Sequence, residues 1–174
     1  MRQLTIIAGC VAALAAMAIA VQAQPQIWTH GQLTFTKANS ADWTLPANQD
    51  RITDEVWLTR QNTAGLFNIR VESQYNKTSR LSPVGTEWAA GDINDWNTLT
   101  YQSFFAYGLN KVGSNILSLG PSVLHLITED IYIQIEFTAW TGGGGGGGFS
   151  YTRTTFDPSP VETSTWGAIK ALYK

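Results

Sequence analysis

Cysteine is almost missing from this 174-residue chain: Cys10 stands alone. Because Cys10 lies in an apolar N-terminal run, the rest of the chain gains nothing from disulfides and offers no thiolate for catalysis or zinc binding. Charge is also sparse. Eleven Lys and Arg stand against thirteen Asp and Glu, a formal net charge of −2 with both signs scattered. Nucleic-acid binding needs a basic stripe that displaces counterions from phosphates, and no such stripe is present. Helical periodicity is scarce after residue 23. No Gly-x-Ser-x-Gly motif occurs, and His30 and His125 are the two imidazoles. What the chain does have is seven Trp, six Tyr, seven Phe and sixteen Gly, a balance typical of an extracellular β-domain.

The N-terminus places Arg2 before a small and apolar run from Leu4 to Val21, then Val21-Gln22-Ala23 ahead of Gln24-Pro25. This is the three-part layout of a secretory signal peptide with a small-x-small cleavage site. It predicts cleavage after Ala23, a single mature domain at 24–174 with no membrane span, and an extracellular or cell-surface location. A retained membrane helix is the second reading of the run. A lipoprotein leader is the third, on Ile7-Ala8-Gly9-Cys10, although Cys10 stands too early in the apolar stretch for that role.

Alternation at period two predicts strands at 26–36, 52–60, 66–73, 98–107, 122–127, 131–140 and 149–156, separated by turn-rich segments. Leu33 and Phe35 are expected to face inward, as are Ile52, Val56 and Leu58, and Phe67, Ile69 and Val71. The fold class is therefore all-β, an antiparallel β-sandwich of jelly-roll or immunoglobulin-like kind. An eight-stranded outer-membrane barrel has a similar length, but long polar connections and the charged final residue Lys174 argue against it. Thr163–Lys174 reads as a short amphipathic C-terminal helix, with Trp166, Ile169 and Leu172-Tyr173 at helical spacing, or as a partner-binding or sorting tail.

The segment His125-Leu126-Ile127-Thr128-Glu129-Asp130-Ile131-Tyr132-Ile133-Gln134-Ile135-Glu136-Phe137, followed by Trp140, a glycine-rich gap and Phe149-Ser150-Tyr151-Thr152-Arg153, resembles a pattern in uncharacterised secreted bacterial β-sandwich proteins. Ile52–Arg60 and Gly85–Ala89 resemble two earlier blocks of it. The resemblance implies a bacterial extracellular module and carries no assigned activity.

In the strand 131–140, Ile131, Ile133, Ile135 and Phe137 share one face, and Tyr132, Gln134, Glu136, Thr138 and Trp140 the other. The isoleucine face is expected to be core. Pairing Trp140 with Phe149 predicts Thr138 opposite Tyr151 and Glu136 opposite Arg153, which keeps the charge of Arg153 in solvent. The candidate site is then an outer sheet face displaying Tyr132, Gln134, Glu136, Trp140, Tyr151 and Arg153, suited to a glycan or a protein surface. Cover by a second layer is the competing reading of that face.

Other constellations are weaker. Asp92, Asn94 and Asp95 offer oxygen ligands for calcium, or a plain Asx-turn. Glu129-Asp130 and Asp92–Asp95 supply neighbouring carboxylates for a polysaccharide-active hydrolase, or plain solvated turns, and His125 reads as a structural histidine. No other cofactor is implied. Edge strands such as 26–37 raise a further alternative, a structural subunit that self-assembles into an extracellular filament or matrix. The seven glycines Gly142–Gly148 fit no nucleotide fingerprint, because strand rather than helix follows them. They are read as slack between two strands, since ordering them costs backbone entropy.

Overall fold

The Ile131–Trp140 strand organises the protein, and every other strand of the larger sheet is placed by it or by its neighbour. The structure, a computed structural model, describes residues 24–108 and 115–156. The predicted leader 1–23 and the predicted helix Thr163–Lys174 lie outside the described residues. In chain order the strands are β1 (Gln26–Trp28), β2 (His30–Lys37), β3 (Asp50–Arg51), β4 (Trp57–Arg60), β5 (Leu66–Asn68), β6 (Thr86–Ala90), β7 (Ser122–Leu126), β8 (Ile131–Trp140) and β9 (Phe149–Thr155). The larger sheet runs β2-β9-β8-β7-β6, with β1 parallel to the first residues of β8, and a smaller sheet runs β3-β4-β5. The fold is thus all-β, two essentially antiparallel sheets in a sandwich-like arrangement, and the described strands form open sheets rather than one closed barrel.

The core lies between the sheets. Leu58 and Leu66 of the smaller sheet meet Trp88, Leu124, Ile133, Ile135, Phe137, Phe149 and Tyr151 of the larger one. Trp88 is fully buried, its ring 5.0 Å from Phe104, and its indole N–H donates to Thr86 Oγ1 at 2.9 Å. That bond satisfies the polar group of an otherwise apolar side chain. Tyr107 closes the same end, donating its hydroxyl to Ser122 Oγ at 2.7 Å. Burial pushes the Tyr107 hydroxyl up to about 12, the Ser122 bond acting in the opposite direction.

Four strand expectations are corrected, and β6 was not expected at all. In 52–60 only Trp57–Arg60 forms a strand, because the chain turns at 53–55 and Ile52 N donates to Val56 O at 3.0 Å. The segment 98–107 holds no strand beyond a single bridge from Gln102 to Trp88, because Ser103 caps a helical turn α1 (Phe104–Tyr107) by accepting from Ala106 N. In 66–73 the strand ends at Asn68, with one last backbone bond from Ile69 N to Trp57 O at 3.0 Å, and the Asn68 side chain takes up further backbone partners. Its Oδ1 accepts from Trp57 N at 2.9 Å, and its Nδ2 donates to Glu55 O at 2.8 Å and Val84 O at 3.0 Å. Val71, expected inward, is consequently 58% exposed. The segment 26–36 splits into β1 and β2, which join different partners.

The glycine run is only half slack. Gly142–Gly145 are exposed, whereas Gly146, Gly147 and Gly148 are buried. Gly146 O accepts from Ser40 N at 2.7 Å, and Gly148 N donates to Asn39 Oδ1 at 2.9 Å. Gly147 adopts a left-handed φ of +68°, and a Cβ there would stand 1.9 Å from Gln61 O. Counting entropy alone missed this, because the compensation comes from a backbone approach that only glycine permits. Arg60 locks the hairpin from beneath, donating Nη1 to Thr141 O at 2.9 Å and Gly148 O at 3.2 Å. Burial pulls the Arg60 guanidinium down to about 10.

Candidate binding face

One extra residue in β8 decides which side chains reach solvent. Trp140 pairs with Phe149 as expected, but Ala139 pairs with Ser150 and Phe137 with Tyr151, leaving Thr138 bulged. A bulge reverses the alternation beyond it. Thr138 and Ala139 are therefore both exposed, and Trp140 turns inward, its ring about 6 Å from those of Phe104, Phe137 and Phe149. The Arg60 guanidinium covers it, 3.8 Å from the ring centroid.

The expected register beyond the bulge is overturned. Thr152, not Arg153, stands opposite Glu136, and Arg153 stands opposite Ile135 on the core side. Its charge is met there by Asp50 of the smaller sheet. Arg153 Nε donates to Asp50 Oδ2 at 2.7 Å and Nη2 to Oδ1 at 2.9 Å, while Tyr151 O–H donates to Oδ2 at 2.6 Å. Burial opposes the Arg153 charge, yet the Asp50 bonds outweigh it and raise its pKa above the ordinary arginine value. Burial first, and then the neighbouring carboxylate, hold the Tyr151 hydroxyl far above its usual range. Of the six expected platform residues, Tyr132, Gln134 and Glu136 face outward, and Trp140, Tyr151 and Arg153 are inside.

The outward three have distinct surroundings. Tyr132 stacks on His125, its cross-strand neighbour, with centroids 4.2 Å apart and planes within 5°. Trp96 and Tyr101 close around it at 4.5 and 5.7 Å. His125 is hydrogen-bonded, as expected: Nε2 lies 3.2 Å from Asp130 Oδ1 and Nδ1 3.6 Å from Glu87 Oε2. Gln134 holds the 91–96 loop onto the sheet. Its Oε1 accepts from Ile93 N at 2.7 Å, and its Nε2 donates to Ser122 O at 2.7 Å and to Gly91 O at 3.3 Å. Gln134→Ala should therefore cost about 1–3 kcal/mol, the price of stranding buried partners, and should increase quenching of Trp96 fluorescence by added acrylamide.

Glu136 is exposed and borders a notch of about 50 Å³ lined by Gln32, Gln134, Glu136, Thr152, Arg153 and Thr154. The notch forms where β9 parts from β8 after Arg153 and β1 takes its place. Thr154 pins that junction, accepting from Gln134 N at 3.0 Å and donating to Trp28 O. Beside it, β2 and β9 align Thr34 with Thr152 and Thr36 with Ser150 on the same side. Trp96, Tyr101, Gln32, Thr152 and Thr154 were missed from sequence, although the alternations Thr34-Phe35-Thr36 and Thr152-Arg153-Thr154 carry a readable trace of a hydroxyl row.

Asp92 accepts from Asn94 N at 2.9 Å and Asn94 Nδ2 at 2.7 Å, an Asx-turn opening the Ile93–Asp95 turn, and Asp95 O accepts from Thr98 N at 2.8 Å. The described residues contain no group of three or more His, Asp or Glu placed to hold a metal. A cleft of about 500 Å³ runs along residues 71–78 and holds one carboxylate, Glu72. Glu72 is occupied by Asn68 N at 2.8 Å, Val84 N at 2.9 Å and the Ser82 hydroxyl. No family model, curated protein or solved structure matches the chain.

Proposed function

We propose that the chain is a secreted, non-enzymatic β-sandwich module that binds an extracellular glycan on the outer face of its larger sheet. The observation that supports this reading is the notch between Gln32, Glu136, Thr152 and Thr154, set in a row of outward threonines and followed along β8 by the half-buried Tyr132–Trp96 cluster. Side chains at alternate positions of β8 stand about 6.7 Å apart, and those across strands about 5 Å apart. Such a lattice mixes amide, hydroxyl and carboxylate groups, which together donate to and accept from vicinal sugar hydroxyls. An aromatic edge alongside it suits the apolar face of a sugar ring.

Affinity electrophoresis against a panel of soluble polysaccharides tests the reading. The native protein is expected to be retarded by one class, and Glu136→Gln or Trp96→Ala to weaken that retardation at least tenfold. Retardation untouched by both substitutions removes the outer face from consideration. Polysaccharide hydrolysis lost on Glu129→Gln or Asp130→Asn would instead favour the hydrolase.

A further inference from the structure

Edges determine what a β-sheet can join, because an unpaired strand presents free N–H and C=O groups to any extended chain. One edge of the larger sheet is capped at its centre: Trp88 N donates to Gln102 O at 2.8 Å and Gln102 N to Trp88 O at 3.0 Å. In the smaller sheet the outer strands β3 and β5 have two and three residues. The longest remaining edge is β2, which pairs with β9 on one side and, along Gln32–Lys37, with no segment among the described residues on the other. Its sequence His30-Gly31-Gln32-Leu33-Thr34-Phe35-Thr36-Lys37 has no proline, and the one lysine that would guard it is folded inward, 1% exposed. Leu33 is left 37% exposed on the inner face of this edge.

We propose that β2 is a homodimer interface, pairing antiparallel with β2 of a second copy about a two-fold axis at Thr34. The inference goes beyond the glycan reading and does not depend on it. A second copy fits because the strand is self-complementary about that residue. Thr34 then meets Thr34, Gln32 meets Thr36, and Leu33 meets Phe35, so apolar groups share the inner face and polar groups the outer one. No like charges are opposed, and opposite Thr–Thr and aromatic–aliphatic pairs are favourable in antiparallel ladders. Centring the axis on Leu33 sets Phe35 against Gly31, and centring it on Phe35 sets Leu33 against Lys37, so each leaves one apolar self-pair where the Thr34 axis makes two Leu33–Phe35 pairs.

An axis of this kind is isologous and closes after two copies. With the opposite edge capped at Trp88, edge-to-edge growth stops at a pair, unlike the filament that edge-strand assembly suggests from sequence. The same axis leaves both outer faces on one side of a continuous sheet.

Sedimentation of Thr34→Lys and Thr34→Glu tests the proposal, since residue 34 faces its own copy. The native protein is expected to sediment as a dimer at micromolar concentration and each variant alone as a monomer. An equimolar mixture of the two variants is expected to regain the dimer, with Lys opposite Glu. Thr34 is exposed, and a native-like circular dichroism spectrum with cooperative unfolding will confirm that the variants fold, their midpoints falling only by the lost association. Thr34→Cys provides a second measurement: mild oxidation should cross-link it into a covalent dimer, and Gln32→Cys should not cross-link. A monomeric native protein, variants that stay dimeric, a mixture that stays monomeric, or a Thr34→Cys protein that does not cross-link would each overturn the interface.

Discussion

Asp50→Ala is expected to destabilise the fold by about 3–5 kcal/mol, measured by urea unfolding monitored through tryptophan fluorescence. The substitution leaves the Arg153 guanidinium, 6% exposed, without its bidentate partner. It also strands the Tyr151 hydroxyl, which is buried and donates to the same carboxylate. Removing one member of a buried pair is costly because the survivor remains desolvated, whereas replacing both by apolar groups can be neutral. The double variant Asp50→Leu, Arg153→Met is therefore expected to recover most of the loss. If the single and double variants lose the same amount, steric fit and not unpaired charge governs this site.

The second large effect is expected at Gly147→Ala. Its Cβ would lie 1.9 Å from Gln61 O, with φ at +68°, so overpacking against backbone adds to the penalty of a left-handed alanine. Together these come to about 3–5 kcal/mol. Gly143→Ala has a φ of +57° but open space around it, and should cost about 1–2 kcal/mol. Gly144→Ala meets nothing within 4 Å and has no left-handed φ, so its effect should stay within about 1 kcal/mol of zero. Equal effects across the three glycines in urea midpoints would return the whole run to the role of slack.

Much of the fold was legible in the isoleucines. Ile131, Ile133 and Ile135 alternate with polar residues, and alternation at period two has one physical cause, a sheet with one face in the core. The pairing of Trp140 with Phe149 was legible for the same reason, since both border the glycine run. The bulge at Thr138 was not, because an unpaired residue within a strand leaves no local mark when its neighbours are Phe137 and Ala139. That single unread residue reversed the placement of Trp140, and with it the register that set Arg153 in solvent. Asp50 was equally invisible as a partner. It sits 103 residues from Arg153 in the chain, and the charge argument that kept arginine outside holds only when no carboxylate waits inside. Of the candidate face, Glu136 was readable from strand parity, while Trp96 and Tyr101 belong to a loop that the Gln134 side chain fastens down, a contact with no periodicity.

The pairing order also sets a timetable for folding. β1 and β2 begin the described chain, yet their partners β8 and β9 come more than 100 residues later, and the Thr154 to Trp28 bond spans 126. A ribosome making this chain releases the first two strands long before anything exists for them to bind, and the larger sheet closes only after Thr155 has emerged. Folds dominated by such distant contacts assemble in milliseconds to seconds rather than microseconds. During synthesis the larger sheet therefore stays open, and Leu33 and its neighbours in β2 wait unpaired until β9 has been made.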